Sequence, residues 1–254
     1  MKILKFLIAL TVAFILSVPF SYSGEVLISE SIALIKSGKA SDIDVEALEL
    51  VVNGKSEYSI EAGLILIGVF YSKKSFDRVV EVGRIIESIN GNACSDKEEL
   101  DNFNNIIDDP FGFYCGRYGT SLFGMNNWED AARVLSNAYK AGLTRGKSKS
   151  MNLLIIEMIS LSYLGVNDFS SGRYFINNWF DLNNCNDNKT SKSCQVVIYN
   201  RACLESKAGD QEEAYNNLKN IVLEEILSEM HKDQDLKKFR ESIWYKRLLE
   251  DVVN

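Results

Sequence analysis

Proline is nearly missing from this chain: its 254 residues hold two, Pro19 and Pro110. Helices can therefore run long, and Pro110 marks the internal boundary that proline chemistry predicts. Histidine is scarcer still, with His231 alone. The five cysteines, at 94, 115, 185, 194 and 203, include no Cys-x-x-Cys spacing. Neither a zinc site nor a thioredoxin-like redox motif is supported by such a set. Basic residues are the minority charge, 28 Lys and Arg against 35 Asp and Glu, for a net −7. A nucleic-acid partner does not suit that balance. The expectation is a chain with no metal and no cofactor. Strand-like alternation is also lacking, since every long apolar segment repeats with the 3.6 period of a helix.

What is present begins with a leader. Lys2 and Lys5 precede an apolar run from Phe6 to Val18, and Ser21 and Ser23 bracket Tyr22. That order reads as a signal peptide over 1–23 with the mature chain starting at Gly24, and the run is short for a membrane span. Membrane contact is then expected only in transit, through the leader. The expected location is exported, periplasmic or secreted. Without the two leader lysines the remainder carries 26 basic and 35 acidic residues, net −9.

An oxidising compartment makes cysteine pairs plausible. Two polar segments, 90–110 and 183–193, interrupt the apolar periodicity, and cysteines sit in or beside both. Pairing Cys94 with Cys115 and Cys185 with Cys194 closes each insertion on itself and leaves Cys203 a buried thiol. Pairing Cys194 with Cys203 is the competing arrangement.

An internal repeat organises the rest. In YGTSLFGMNNWEDAARVLSNA, residues Gly119, Leu122, Asn126, Trp128, Ala131, Leu135 and Ala138 hold the spacings later taken by Ser160, Tyr163, Asn167, Phe169, Gly172, Ile176 and Trp179. Ala202, Glu205, Gly209, Gln211, Ala214, Leu218 and Ile221 repeat them again. A weaker copy has Phe70, Phe76, Val79 and Gly83. Ile28, Ile32 and Ile35, then Val45, Leu48 and Val51 or Val52, read as two preceding helices.

This pattern of small residues facing each other across a helix crossing, with aromatics around it, resembles the tetratricopeptide-repeat family. The C-terminal DQDLKKFRESIWYKRLLED is similar to the family's closing segment through Asp233, Asp235, Leu236, Phe239, Arg240, Trp244 or Tyr245, and Leu248. The resemblance implies an all-α fold, antiparallel helix pairs stacked into a right-handed superhelix. Its parts would be capping helices over 25–53, repeats at about 57–89, 112–141, 150–182 and 195–228, and a closing helix over 233–251. It further implies a non-catalytic scaffold that docks a protein or peptide segment against helix A of each repeat. The matching positions are Tyr71, Phe113, Thr120, Phe123, Glu157 and Tyr199, with Leu161 and Cys203 reading as packing positions. The branch that grips carboxylate termini needs Lys and Asn, and here only Asn200 fits; Glu61, Phe113, Leu154 and Val196 stand where Lys is wanted.

Catalytic signatures stop short. AGLTRGKS (141–148) has Ala141 where a phosphate loop needs Gly, and a helix precedes it where a strand is required. Gly119, Ser121 and Gly124 nearly spell a nucleophile elbow, but the second glycine is one place late. The Asn/Asp-rich 181–187 lacks calcium-loop spacing. Two competing functions remain: a hydrolase on a helical toroid using carboxylates such as Glu61 and Glu157, and a structural subunit of an envelope assembly.

Overall fold

The computed structural model describes residues 20–254 except 183, 190, 222–223 and 254. Most of the leader read over 1–23 thus lies outside the described residues. Those described form fourteen α-helices and two short 3-10 turns, with no strand. The described residues are thus all-helical in class, and none of the described helices is long and apolar enough to cross a membrane. It divides into two compact units, one ending at Ser121 and one beginning at Leu122.

The first unit holds α1 (Phe20–Lys36), α2 (Val45–Asn53), α3 (Ser59–Ser72), α4 (Phe76–Asn90), the short α5 (Glu98–Asp101) and α6 (Pro110–Gly124), which runs past the unit boundary. Helix α3, SIEAGLILIGVFYS, is apolar almost all round, and its residues from Ala62 through Ile67 are buried. A helix of that composition needs neighbours on several sides. It has them in α1, α2 and α4. Helix α4 instead buries one stripe, Val79, Val80, Gly83 and Ile86. A Cβ at Gly83 would fall 2.4 Å from Tyr118 Cδ2, so only glycine lets that ring lie on α4. Tyr114 then donates to the Gly83 carbonyl at 3.0 Å, and Tyr118 to Glu87 at 3.0 Å. Cys94 is bonded to Cys115, fastening the 91–97 segment to α6.

The second unit continues with α7 (Trp128–Lys140), α8 (Lys149–Gly165), α9 (Phe169–Leu182), α10 (Lys192–Ala208) and α11 (Gln211–Leu218). Each of these packs on the next, and α8 also touches α10. The small positions of the repeat lie at those crossings. Ala131, Ala202 and Ala214 are wholly buried, and a Cβ on Gly172 would stand 2.9 Å from Leu204. Gly165 seats the Trp128 ring, 2.5 Å from where its Cβ would be. Tyr163 stacks on Phe175 and donates to Ser136 at 3.2 Å. The Cys185–Cys194 disulfide closes the 183–193 insertion. Both bonds follow the pairing that closes each insertion, and Cys203 is the buried free thiol.

The turn between the helices of a pair recurs with one geometry. Lys74, Asn126, Asn167 and Gly209 all have positive φ, from 58° to 99°. In each case the next N–H reaches back five residues: Ser75 to Phe70, Asn127 to Leu122, Asp168 to Tyr163 and Asp210 to Glu205, at 2.9–3.0 Å. That is a Schellman-type ending, which needs a left-handed residue and favours Gly or Asn. The repeated Asn, Asn and Gly of the sequence pattern are these residues.

The C-terminal stretch departs from the single closing helix that the sequence implied. After α12 (Glu224–Lys232) come a 3-10 turn at Gln234–Leu236, α13 (Lys237–Arg240) and α14 (Ile243–Val253). Ser242 breaks the run, because its hydroxyl donates to the Phe239 carbonyl while accepting from Tyr245 N–H as an N-cap. Leu236, Phe239 and Leu248 are fully buried. Arg240 donates to the carbonyls of Met230 and Asp233 at 2.6 and 2.5 Å, satisfying groups left open where α12 ends.

Candidate functional site

The family positions expected to line a binding face fall into two separate groups, one in each unit. In the second unit they lie on α8 and α10, apart from Phe123 at the end of α6. Met151, Leu154, Glu157 and Leu161 recur along one side of α8, and Val196, Tyr199, Asn200 and Cys203 along one side of α10. The helices are joined there by Asn200, which donates to Glu157 at 3.3 Å. Met151 and Leu154 are 46% and 48% exposed, so this side of α8 presents apolar surface to solvent.

Tyr199 is tied down from below. Its hydroxyl donates to Asp233 Oδ2 at 2.8 Å, and the Cys203 thiol approaches the same oxygen at 3.6 Å. The other Asp233 oxygen caps the 3-10 turn through Asp235 N–H at 2.9 Å. Burial, helped by the nearby Cys203 and Asp233, pushes the Tyr199 phenol well up. Burial and then Asp233 likewise raise the Cys203 thiol, which keeps it protonated and unfit as a nucleophile. The trio locks α10 to the closing segment. Asp233 was legible only as a motif residue, and no spacing announced its partner 34 positions away.

Phe123 meets Trp128 edge to face at 5.2 Å and packs in the turn it precedes. Thr120, in the first unit, spends its hydroxyl on the Gly116 carbonyl.

Tyr71 and Phe113 do come together in the first unit, through a residue the sequence reading did not select. The Arg117 guanidinium lies 3.7 Å from the Phe113 ring centroid and 5.3 Å from that of Tyr71. Phe113, Arg117 and Thr120 follow a helical i, i+4, i+7 spacing, the one signal that could have included Arg117. Half-burial pulls its guanidinium below the ordinary value. Arg117 and Phe113 form one wall of a half-open cleft of about 800 Å³, floored by Leu64, Ile65 and Val69 of α3 and bounded by 104–108 and the end of α1. Ile35, expected as a core position, is 40% exposed because it lines this cleft.

The carboxylates weighed for hydrolysis sit in unlike settings. Glu157 is held by Asn200. Glu61, in the first turn of α3, is raised by burial, and its Oε2 has no hydrogen-bond partner among the described residues. The phosphate-loop-like 141–148 is a turn between α7 and α8, with Gly142 and Gly146 at positive φ. Ser121 lies buried within helix α6. Among the described residues no cluster of His, Cys, Asp and Glu is arranged as a metal site. No protein-family model matches the chain, and no curated protein does.

Proposed function

We propose that this chain is a non-catalytic scaffold of tetratricopeptide-like helix pairs that docks a protein or peptide segment on the exposed side of α8 and α10. The observation that carries the reading is the solvent-facing apolar pair Met151 and Leu154, continuous with Leu161 and anchored by the Glu157–Asn200 hydrogen bond. Apolar anchors beside one oriented carboxylate are what a partly apolar segment needs for affinity and for register. Stacking of the pairs into a superhelix is supported by the four identical turns and by the contact of α8 with α10 across α9. In this reading the closing segment shields the last pair. Export, with removal of the leader before Gly24, is supported by the two disulfides, which persist in oxidising compartments.

A photo-activated side chain placed at Leu154 and, separately, at Ile243, which is 75% exposed on α14, tests the reading in the host cell. Discrete adducts should form from position 154 and not from 243. Equal labelling from both, or none from 154, would reject docking on this face.

A further inference from the structure

The cleft of the first unit has a chemistry that the docking face does not share. Its floor and sides are aliphatic, chiefly Leu64, Ile65, Val69 and Ile107, while Lys36, Lys73 and Arg117 converge on it against one acid, Asp108. Among the described residues none of these three cations forms an ion pair, although the chain as a whole is acidic at −7. Arg117 satisfies one N–H on its own helix, donating to the Phe113 carbonyl at 3.4 Å, and covers its π-face with the Phe113 ring. The rest of its N–H edge stays available for an acceptor lying in the guanidinium plane. Gly68, in the cleft lining, lets the Phe113 ring lie against α3, since a Cβ there would stand 3.0 Å from Phe113 Cζ. A volume of about 800 Å³ is within the range of small-molecule sites, which are mostly apolar with a few placed polar groups.

We propose that this cleft binds an amphiphilic monocarboxylate, its apolar body on the α3 floor and its carboxylate held by Arg117 with Lys73 and Lys36 at the rim. A planar carboxylate matches the free edge of a guanidinium. A cationic or neutral amphiphile would leave the unpaired cations uncompensated. The proposal does not depend on peptide docking by α8 and α10, which lies in the other unit.

Calorimetric titration of the intact chain with decanoate, decanol and decyltrimethylammonium tests it. Decanoate should bind at a single site, at least tenfold more tightly than either of the others. Arg117→Met should weaken decanoate at least tenfold, with Arg117→Lys intermediate. Lys73→Glu alters an exposed side chain, so it reads the charge contribution even where Arg117→Met unfolds, and should weaken binding several-fold. Gly68→Leu fills the cleft and should abolish binding. Equal affinity for decanol and decanoate, indifference to Lys73→Glu, or absence of saturable decanoate binding would overturn the proposal. An acidic peptide that binds in a Gly68→Leu-sensitive way while decanoate does not would assign the cleft to a different occupant and overturn it equally. Peptide binding at α8 and α10 should be unchanged by Gly68→Leu, so the two readings fail separately.

Discussion

Glu205 stands in the repeat where the earlier copies have Leu122 and Tyr163, and a carboxylate at that buried position has to be explained. It is 4% exposed, and Arg173 of α9 grips both of its oxygens. Arg173 remains 38% exposed, so its positive charge keeps some hydration while it neutralises a carboxylate that has almost none. Removing the arginine alone should therefore hurt more than removing both partners. We expect Arg173→Met to lower stability by about 2 kcal/mol, less than the ~3–5 of a fully buried pair because the arginine is partly solvated. Arg173→Met with Glu205→Leu should recover most of the loss. Chemical denaturation of the wild type and the two variants measures it, and equal losses in the single and the double variant would contradict this account. The pair was not legible in the sequence, because it joins residues 32 positions apart and the repeat pattern offered no preference for charge there.

At the scale of elements, the turns carried most of the legible information. Asn126, Asn167 and Gly209 recur because a helix that ends in a left-handed residue can reuse its last carbonyls, and few residue types adopt that backbone cheaply. Asn167→Gly should leave stability nearly unchanged, while Asn167→Ala should cost about 1 kcal/mol through strain at φ 61°. Thermal unfolding of the two variants checks this, and an alanine variant as stable as the glycine one would remove the argument. The small residues at crossings were legible for the same reason: Ala131, Gly172 and Ala214 admit a neighbouring helix that larger side chains would hold off. Helix breaks without proline were not. Ser242 ends one helix and caps the next by local hydrogen bonds, and a serine in an otherwise helical pattern gives no periodic signal of that. Nor did periodicity separate Ile35, which lines a cleft, from Ile28, which is buried in the same helix.

On the scale of the whole molecule, the two disulfides bind each insertion locally, over sequence separations of 21 and 9. Bonds that close short loops stabilise by about 2–3 kcal/mol each. Reduction should therefore free 91–109 and 183–193 to hydrogen exchange before the helix pairs open, and early exchange in α8 or α10 would contradict that order. The all-helical class, the paired helices and the insertions could be read from spacing alone. The two proposed binding surfaces could not, since exposure at Leu154 and convergence of Arg117, Lys73 and Lys36 depend on which helices meet. The central claim, docking on α8 and α10, is tested most directly by equilibrium binding of a peptide selected from a display library on the intact chain. Affinity should fall at least tenfold in Leu154→Asp, which is above 1.4 kcal/mol, and stay unchanged in Ile243→Asp. Equal affinities for wild type and Leu154→Asp, or an equal loss in both variants, would contradict the account.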